Sequence, residues 1–238
     1  MRRRRLVVLV TAAAFLGGGC RVDVGMDVSV QDDGSGEVEV VVALDRDAAR
    51  RVPGLEDQLE VDDLEAAGWE VSGPSRVRGG GVEIRATKGF TSLDELGDVV
   101  AEVSGRDGPL SDLAVERDRA AFGDIWRVRG AADLRDGLEA FGDAGLRERL
   151  GGSSLGMSDE ELERAAGRPL PEAVRFRVTA DLPGGGASWS PALGERTPLE
   201  AESRTWEAPR LGLLALAVVL ALGAVAMLLV RPGRRRPA

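Results

Sequence analysis

The chain has 238 residues and a net charge of −9, and it contains no histidine, no tyrosine and a single lysine, Lys88. The absence of histidine excludes a serine triad and most zinc sites. All 40 acidic residues lie between residues 21 and 209, whereas nine of the 31 Lys and Arg lie outside, so this middle segment carries 22 − 40 = −18. An acidic body with basic ends argues against nucleic-acid binding, which needs a positive footprint.

The N-terminus has the pattern of a secretory signal peptide. MRRRR precedes an apolar run over residues 6–16 and three glycines before Cys20, the only cysteine. Eleven apolar residues are too few for a span, which needs about 20. Gly19-Cys20 resembles the lipobox, in which a small residue precedes the cysteine that receives the lipid. We predict a lipoprotein signal peptide over 1–19, cleavage after Gly19 and lipidation at Cys20; a plain signal peptide with an incidental cysteine is the alternative.

Alternating apolar and polar residues predict strands along the body. Apolar residues occupy every second position over 22–30 and 38–44, and Asp33-Gly34-Ser35-Gly36 between them has turn chemistry, so these segments form a hairpin. Residues 174–182 alternate in the same way. Shorter strands are predicted at 69–71, 82–86, 113–116 and 125–129. One-sided alternation predicts an antiparallel sheet with one packed and one solvated face.

Helices are predicted between these strands. The segment 55–67 ends before Gly68, and segment 133–150 has an apolar side interrupted by glycines. Two capping boxes predict helix starts, Ser92 with Glu95 and Ser158 with Glu161, the second helix closing at Gly167 and Pro169. The order of elements predicts an α+β fold with helices packed on one face of the sheet.

The C-terminal region has the pattern of a membrane span. Residues 211–230 are 20 uncharged residues, which as a helix reach about 30 Å, the hydrocarbon thickness. The heavier positive flank follows the run, which predicts a cytoplasmic tail. We therefore predict an extracytoplasmic α+β domain over 20–182, a stem or final sheet element over 183–209, a transmembrane helix over 210–230 and a basic tail over 231–238. A buried core helix is the alternative for the apolar run.

The residues offer little catalytic chemistry. Residues 152–156, GSSLG, match G-x-S-x-G, but that motif needs a histidine elsewhere, so a flexible glycine loop is favoured. Lys88 as a general base and an Asp/Glu pair for glycoside hydrolysis stay open as minor alternatives. We predict no enzyme activity, no cofactor and no metal site.

Arginines on the solvated strand faces suggest a first binding hypothesis. If the strands are neighbours, these arginines form a basic stripe that could hold phosphate head groups: Arg127, Arg129, Arg175 and Arg177. The favoured alternative pairs them across the sheet with the acids of the first hairpin, Asp23, Asp27, Glu37 and Glu39.

Aromatic residues suggest a second hypothesis, an apolar lipid pocket. Its candidate lining residues are Trp69, Phe90, Phe122 and Trp126. Ordinary core packing is the alternative for these side chains.

The order of segments along the whole chain resembles a known family. After the Gly-Cys signal come RVDVGMDVSVQDDGSGEVEVVVALD, then TKGFTSLDELGDVV, then AVRFRVTADLPGGGASWSPALGERTPLEAES, and last the apolar run with its arginine tail. This arrangement is similar to that of the actinobacterial LppM-type lipoproteins, also described as a DUF3153-type family. The resemblance implies an α+β ectodomain in the cell envelope, likened to lipid-binding folds and associated with phosphatidylinositol mannosides. It implies no catalytic residues.

These observations together predict a single-pass cell-membrane lipoprotein with its ectodomain outside the cytoplasm and its C-terminus inside. The ectodomain is expected to bind envelope lipid or glycolipid without catalysis. The alternative is a protein-interaction or sensing module of the envelope, with partners that the sequence does not identify. A lipid group together with a span is more attachment than retention needs, so a second form released by cleavage within 183–209 is a further hypothesis.

Overall fold

The computed structural model describes residues 20–51, 62–105, 108–110, 112–121, 123–141 and 159–206. Its largest element is a six-stranded sheet. Numbered in chain order, its strands are β1 (Val22–Val30), β2 (Gly36–Leu44), β3 (Glu70–Arg76), β4 (Val82–Phe90), β8 (Val174–Leu182) and β9 (Gly185–Trp189). Their order across the sheet is β3-β4-β2-β1-β8-β9.

The predicted hairpin is confirmed as the centre of this sheet. β1 and β2 pair antiparallel with Val22 opposite Leu44 and Val30 opposite Gly36. In the turn between them, Gly34 adopts φ +91° and its N–H donates to the Gln31 carbonyl at 2.9 Å. That positive φ is the conformation that glycine adopts without the steric cost other residues pay.

The prediction of an antiparallel sheet is wrong at one pair. β1 pairs with β8 in parallel, with Val22 opposite Val174 and Ser29 opposite Asp181. The sheet is therefore mixed. Alternation of apolar and polar residues reports which face of a strand is buried and not its direction, and a parallel neighbour needs only a long connection, which residues 45–173 supply.

Two smaller sheets complete the fold. One contains β5 (Ala114–Ala120), β6 (Gly123–Arg129) and β11 (Ala201–Arg204) in the order β11-β6-β5, and the other pairs β7 (Ala131–Asp133) with β10 (Arg196–Pro198). Residues 183–206 thus place one strand in each of the three sheets.

The described helices are short. They are α1 (Arg46–Arg51), α2 (Asp62–Ala66), α3 (Leu96–Ser104), α4 (Asp159–Ala166) and α5 (Leu170–Ala173), with 3-10 turns at Leu93–Glu95 and Gly137–Phe141. As predicted, α4 ends at Gly167, which has φ +74°; Ser158 lies outside the described residues.

Two helix predictions need correction. Ser92 makes no side-chain capping bond, and Glu95 instead accepts from the N–H and hydroxyl of Thr91, each at 2.8 Å. The segment predicted as helix from residue 133 begins inside β7, because Asp133 pairs with Arg196, and Gly137 then adopts φ +62°. Residues 142–150 of that segment lie outside the described residues.

The hydrophobic core lies on one face of the large sheet. Val28 and Val38 pack there with Leu96 and Val100 of α3 and with Trp126 of β6. Within the residues that the structure describes, no helix is long and apolar enough to cross a membrane. The predicted signal peptide, transmembrane helix and tail lie outside those residues.

Candidate functional site

An apolar cavity of about 450 Å³ lies at the end of the large sheet where β1 and β8 begin. The strands contribute Val22, Val24, Leu44, Val174 and Phe176 to its wall. The helices and turns contribute Cys20, Ala48, Arg51, Leu138, Leu162, Ala166, Leu170 and Ala173. Among these lining residues Arg51 alone carries a charge.

Hydrogen bonds donated by backbone N–H groups hold the helical wall of the cavity in place. The Cys20 N–H donates to the Ala166 carbonyl at 3.1 Å, which ties the start of the domain to the last residue of α4. The Leu170 N–H donates to Glu163 Oε1 at 3.0 Å and so fixes α5 beside α4. On the other side, the Ala48 N–H donates to Asp45 Oδ1 at 2.8 Å at the start of α1. Each of the three short helices in the wall is thus held by a hydrogen bond at or near one end.

The predicted lipidation residue lies in this wall. Cys20 is 7% exposed and lines the cavity directly before β1. Lipid attached to its sulfur would begin at the boundary of an apolar space. The sequence predicts lipidation at Cys20, but no sequence pattern indicates that a cavity adjoins this residue.

A smaller apolar pocket of about 210 Å³ adjoins the cavity. It shares Val24 and Phe176 with the cavity and reaches Val103 of α3. Apolar space is therefore distributed along the start of β1 and β8 on the core side of the sheet.

The opposite face of the same strands forms a polar concavity of about 920 Å³. It contains charges of both signs, from Asp23, Asp27, Glu39, Arg85, Arg175 and Arg177. Arg85 is bonded to Glu39 and, at 2.9 Å, to Glu83, and these bonds raise its pKa above the usual value. A surface of mixed charge suits polar groups and does not provide walls for an acyl chain.

The structure does not bring the four predicted arginines together. Arg127 and Arg129 lie on β6 of the three-stranded sheet, whereas Arg175 and Arg177 lie on β8 of the large sheet. The basic stripe is therefore wrong, because it required neighbouring strands.

The arginines of β6 are neutralised within their own sheet. Arg127 is bonded to Asp118 and, at 3.0 Å, to Glu202, while Arg129 reaches Glu116 at 3.2 Å. The bond to Asp118, and then that to Glu202, raises the pKa of Arg127. The favoured alternative expected these arginines to pair with acids across a sheet, and Arg127 and Arg129 do so. Their partners, however, come from β5 and β11 and not from the first hairpin.

The arginines of β8 are placed differently. Arg175 lies opposite Asp23 in the register of β1 and β8, as the alternative expected. Neither Arg175 nor Arg177 makes an ion pair within 4.0 Å in the part of the chain that the structure describes.

The aromatic residues proposed for a lipid pocket lie in the core. Trp69 and Phe90 are 2% and 3% exposed and Trp126 is fully buried, and none of them lines the apolar cavity. The Trp69 indole N–H donates to Glu102 at 2.8 Å, and the Arg117 guanidinium lies 4.8 Å from the centre of the Trp126 ring. Phe122 lies outside the described residues.

Catalytic chemistry gains no support from the described residues. Among them, no group of three or more His, Cys, Asp or Glu could hold a metal ion. The Lys88 ammonium donates to the Ala67 carbonyl at 2.7 Å and to Glu102 at 2.6 Å, which gives it a structural contact between β4 and α3. The G-x-S-x-G segment lies outside the described residues.

The cavity residues that sequence reasoning missed are small or isolated. Ala48, Ala166 and Ala173 come from three separate helices, and Phe176 was noted only as part of an alternating strand. Their proximity depends on the parallel pairing of β1 with β8, which no local pattern signals.

Comparison with solved structures finds a distant similarity. The NMR structure of the folded domain of LppM from Mycobacterium tuberculosis is 15% identical in sequence, with a TM-score of 0.43, and the match covers 81% of this chain and 94% of that chain. That structure is of a protein of the LppM type, which is the type that the sequence of this chain resembles. No protein-family model and no curated protein matches the chain.

Proposed function

We propose that this chain is a membrane-attached lipoprotein of the cell envelope whose domain binds an acyl chain of an envelope lipid or glycolipid, without catalysing its turnover. The observation that carries this proposal is the apolar cavity beside Cys20. Its volume of about 450 Å³ lies within the range of small-molecule sites, roughly 300–1,000 Å³. Twelve of its thirteen described lining residues are uncharged, as an acyl chain requires.

The energetics favour lipid exchange over permanent capture. Each methylene moved from water into an apolar site gains about 0.8 kcal/mol, so a water-exposed acyl chain binds strongly. A chain taken from a bilayer leaves an environment as apolar as the cavity and gains much less. A cavity of this kind therefore suits a domain that takes up and returns lipid at a membrane surface.

The attachment rests on two features of the sequence. Cys20 follows the lipobox-like Gly19, and residues 211–230 have the length and composition of a span. The positive tail after the span supports a C-terminus inside and a domain outside the cytoplasm. Metabolic labelling with an alkyne-bearing palmitate should mark the full chain and lose the mark in Cys20→Ser; equal labelling of both would contradict lipidation at this residue.

Copurified lipid tests the binding proposal. Residues 20–209 expressed in an actinobacterial host should show a larger mass under native than under denaturing conditions, and the difference identifies the lipid class. A domain without any adduct, even after incubation with an envelope lipid extract, would overturn the proposal. Crosslinking to a protein partner would then be the informative next step.

A further inference from the structure

Arg51 differs from the other described residues that line the apolar cavity. Among them it is the charged one, it is exposed, and it ends α1. Arg51 makes no ion pair in the described part of the chain, whereas its neighbour Arg50 is bonded to Asp47. Within the part of the chain that the structure describes, the cavity therefore has apolar walls and, at its edge, a guanidinium without an ion-pair partner.

The acids close to Arg51 on and before α1 already have partners. Asp47 binds Arg50, and Asp45 accepts from the Ala48 N–H. The Arg51 guanidinium pairs with no acid among the described residues, which leaves it able to bind an external anion. Guanidinium groups bind carboxylate and phosphate in a bidentate geometry that few other side chains offer.

We infer that the cavity selects an amphiphile with an anionic head group, either a carboxylate or a phosphate, which Arg51 binds while the acyl chain fills the apolar space. The inference rests on the proposed function and deepens it. Because an acyl chain gains little free energy when it leaves a bilayer for the cavity, the head group has to supply the selectivity between lipids. Arg51 is the lining residue able to do so by charge.

Photolabelling of the full chain in membrane vesicles tests this inference. The probes are palmitic acid bearing a diazirine and an alkyne, used at pH 8.5, and the corresponding uncharged alcohol. Mass spectrometry of digested protein reads the labelling of peptides that contain Leu162 and Phe176. We expect the parent chain to prefer the acid about three- to fivefold, the size of an exposed charge-assisted contact.

The matched variants are Arg51→Gln and Arg50→Gln, which change the net charge equally. We expect Arg51→Gln to bring the acid and the alcohol to equal labelling, and Arg50→Gln to keep the preference. An unchanged preference in Arg51→Gln, or an equal loss in both variants, would overturn the role of Arg51. A parent chain whose cavity peptides take up the alcohol and the acid equally would overturn anion selection while leaving acyl binding intact. No labelling with either probe would overturn the proposed function itself.

A third probe distinguishes the two kinds of anion. Palmityl phosphate with the same diazirine and alkyne is compared with the acid in the parent chain. Stronger labelling by the phosphate assigns the head group to a phospholipid, and stronger labelling by the acid assigns it to a free fatty acid.

Discussion

The alternating apolar side chains of β1 lie on one face of the large sheet, but the two ends of the strand are covered by different elements. At the C-terminal end, Met26, Val28 and Val30 are buried in the core, whereas Val22 and Val24 at the N-terminal end line the apolar cavity. The strand has the same alternation throughout. The difference therefore comes from the elements that cover it.

The filled end is covered by bulky side chains. α3 contributes Leu96, Val99 and Val100, and β6 contributes Trp126, all within the core. The open end is covered by three short helices that present Ala48, Ala166 and Ala173 as well as Leu162 and Leu170. These helices leave unfilled volume over the strand, which in protein interiors is usually avoided. Whether the face of β1 is filled is therefore decided by the elements that cover it and not by the strand.

The largest effect is expected at the filled end. Trp126→Ala should lower the free energy of unfolding by about 3–5 kcal/mol, because it empties a fully buried site. Chemical denaturation measures it. Trp206→Ala is the control, since Trp206 is 66% exposed and should change stability by no more than about 0.5 kcal/mol. Similar losses in both variants would show that the core does not lie where the structure places it.

A matched pair on β1 sharpens the comparison. Val28→Ala should cost about 1–3 kcal/mol, while Val24→Ala should cost roughly half as much or less, because Val24 already borders open space. Urea unfolding of both variants gives the two values side by side. A larger loss at Val24 would mean that the cavity is filled in the unliganded protein.

The contact between β4 and α3 is expected to contribute less. Glu102→Gln should lower stability by about 1 kcal/mol at pH 7, because the amide keeps the bond to Trp69 and loses the charge that faces Lys88. Burial tends to raise the pKa of Glu102, but the bonds from Lys88 and Trp69 outweigh it and lower the pKa below 4.5. A lowered folded pKa gives stability above pH 4.5 that is lost as the pH falls through the folded value. Thermal melts from pH 7 to 3 should therefore converge for the two proteins, and a constant gap would contradict this.

The smallest effect is expected at Asp133. The bond from Arg135 lowers its pKa from 3.8 to about 2, and the group is half-buried. Its contribution to stability is complete above about pH 4 and is lost between pH 4 and 2. In Asp133→Asn the melting temperature should fall less steeply than in the parent chain as the pH is lowered from 4 to 2. A slope identical to that of the parent chain would show that the pair does not form.

Local patterns predicted the parts of the fold that depend on neighbours in sequence. The hairpin of residues 22–44, the strand at 174–182 and the end of α4 at Gly167 all follow from alternation or turn chemistry. The parallel pairing of β1 with β8 joins segments about 150 residues apart, and no local signal marks it.

The candidate site was less predictable for the same reason. Cys20 stood out because it is the only cysteine, but the cavity beside it depends on alanines from three separate helices. The sequence offers the aromatic residues either as lipid contacts or as ordinary core, and Trp69, Phe90 and Trp126 are buried in the core. Arg51 carries no distinguishing pattern, since it follows Arg50 in an ordinary charged helix.

Filling the cavity tests whether lipid binds there. Ala166→Phe adds a ring to the cavity wall, and Ala114→Phe adds the same ring at an exposed position of β5. The measurement is the amount of lipid that copurifies with residues 20–209 of each variant from the same host, by native mass spectrometry. We expect lipid on Ala114→Phe at the parent level and little or none on Ala166→Phe. Equal lipid on both folded variants would show that the ligand binds elsewhere and would contradict lipid binding in this cavity.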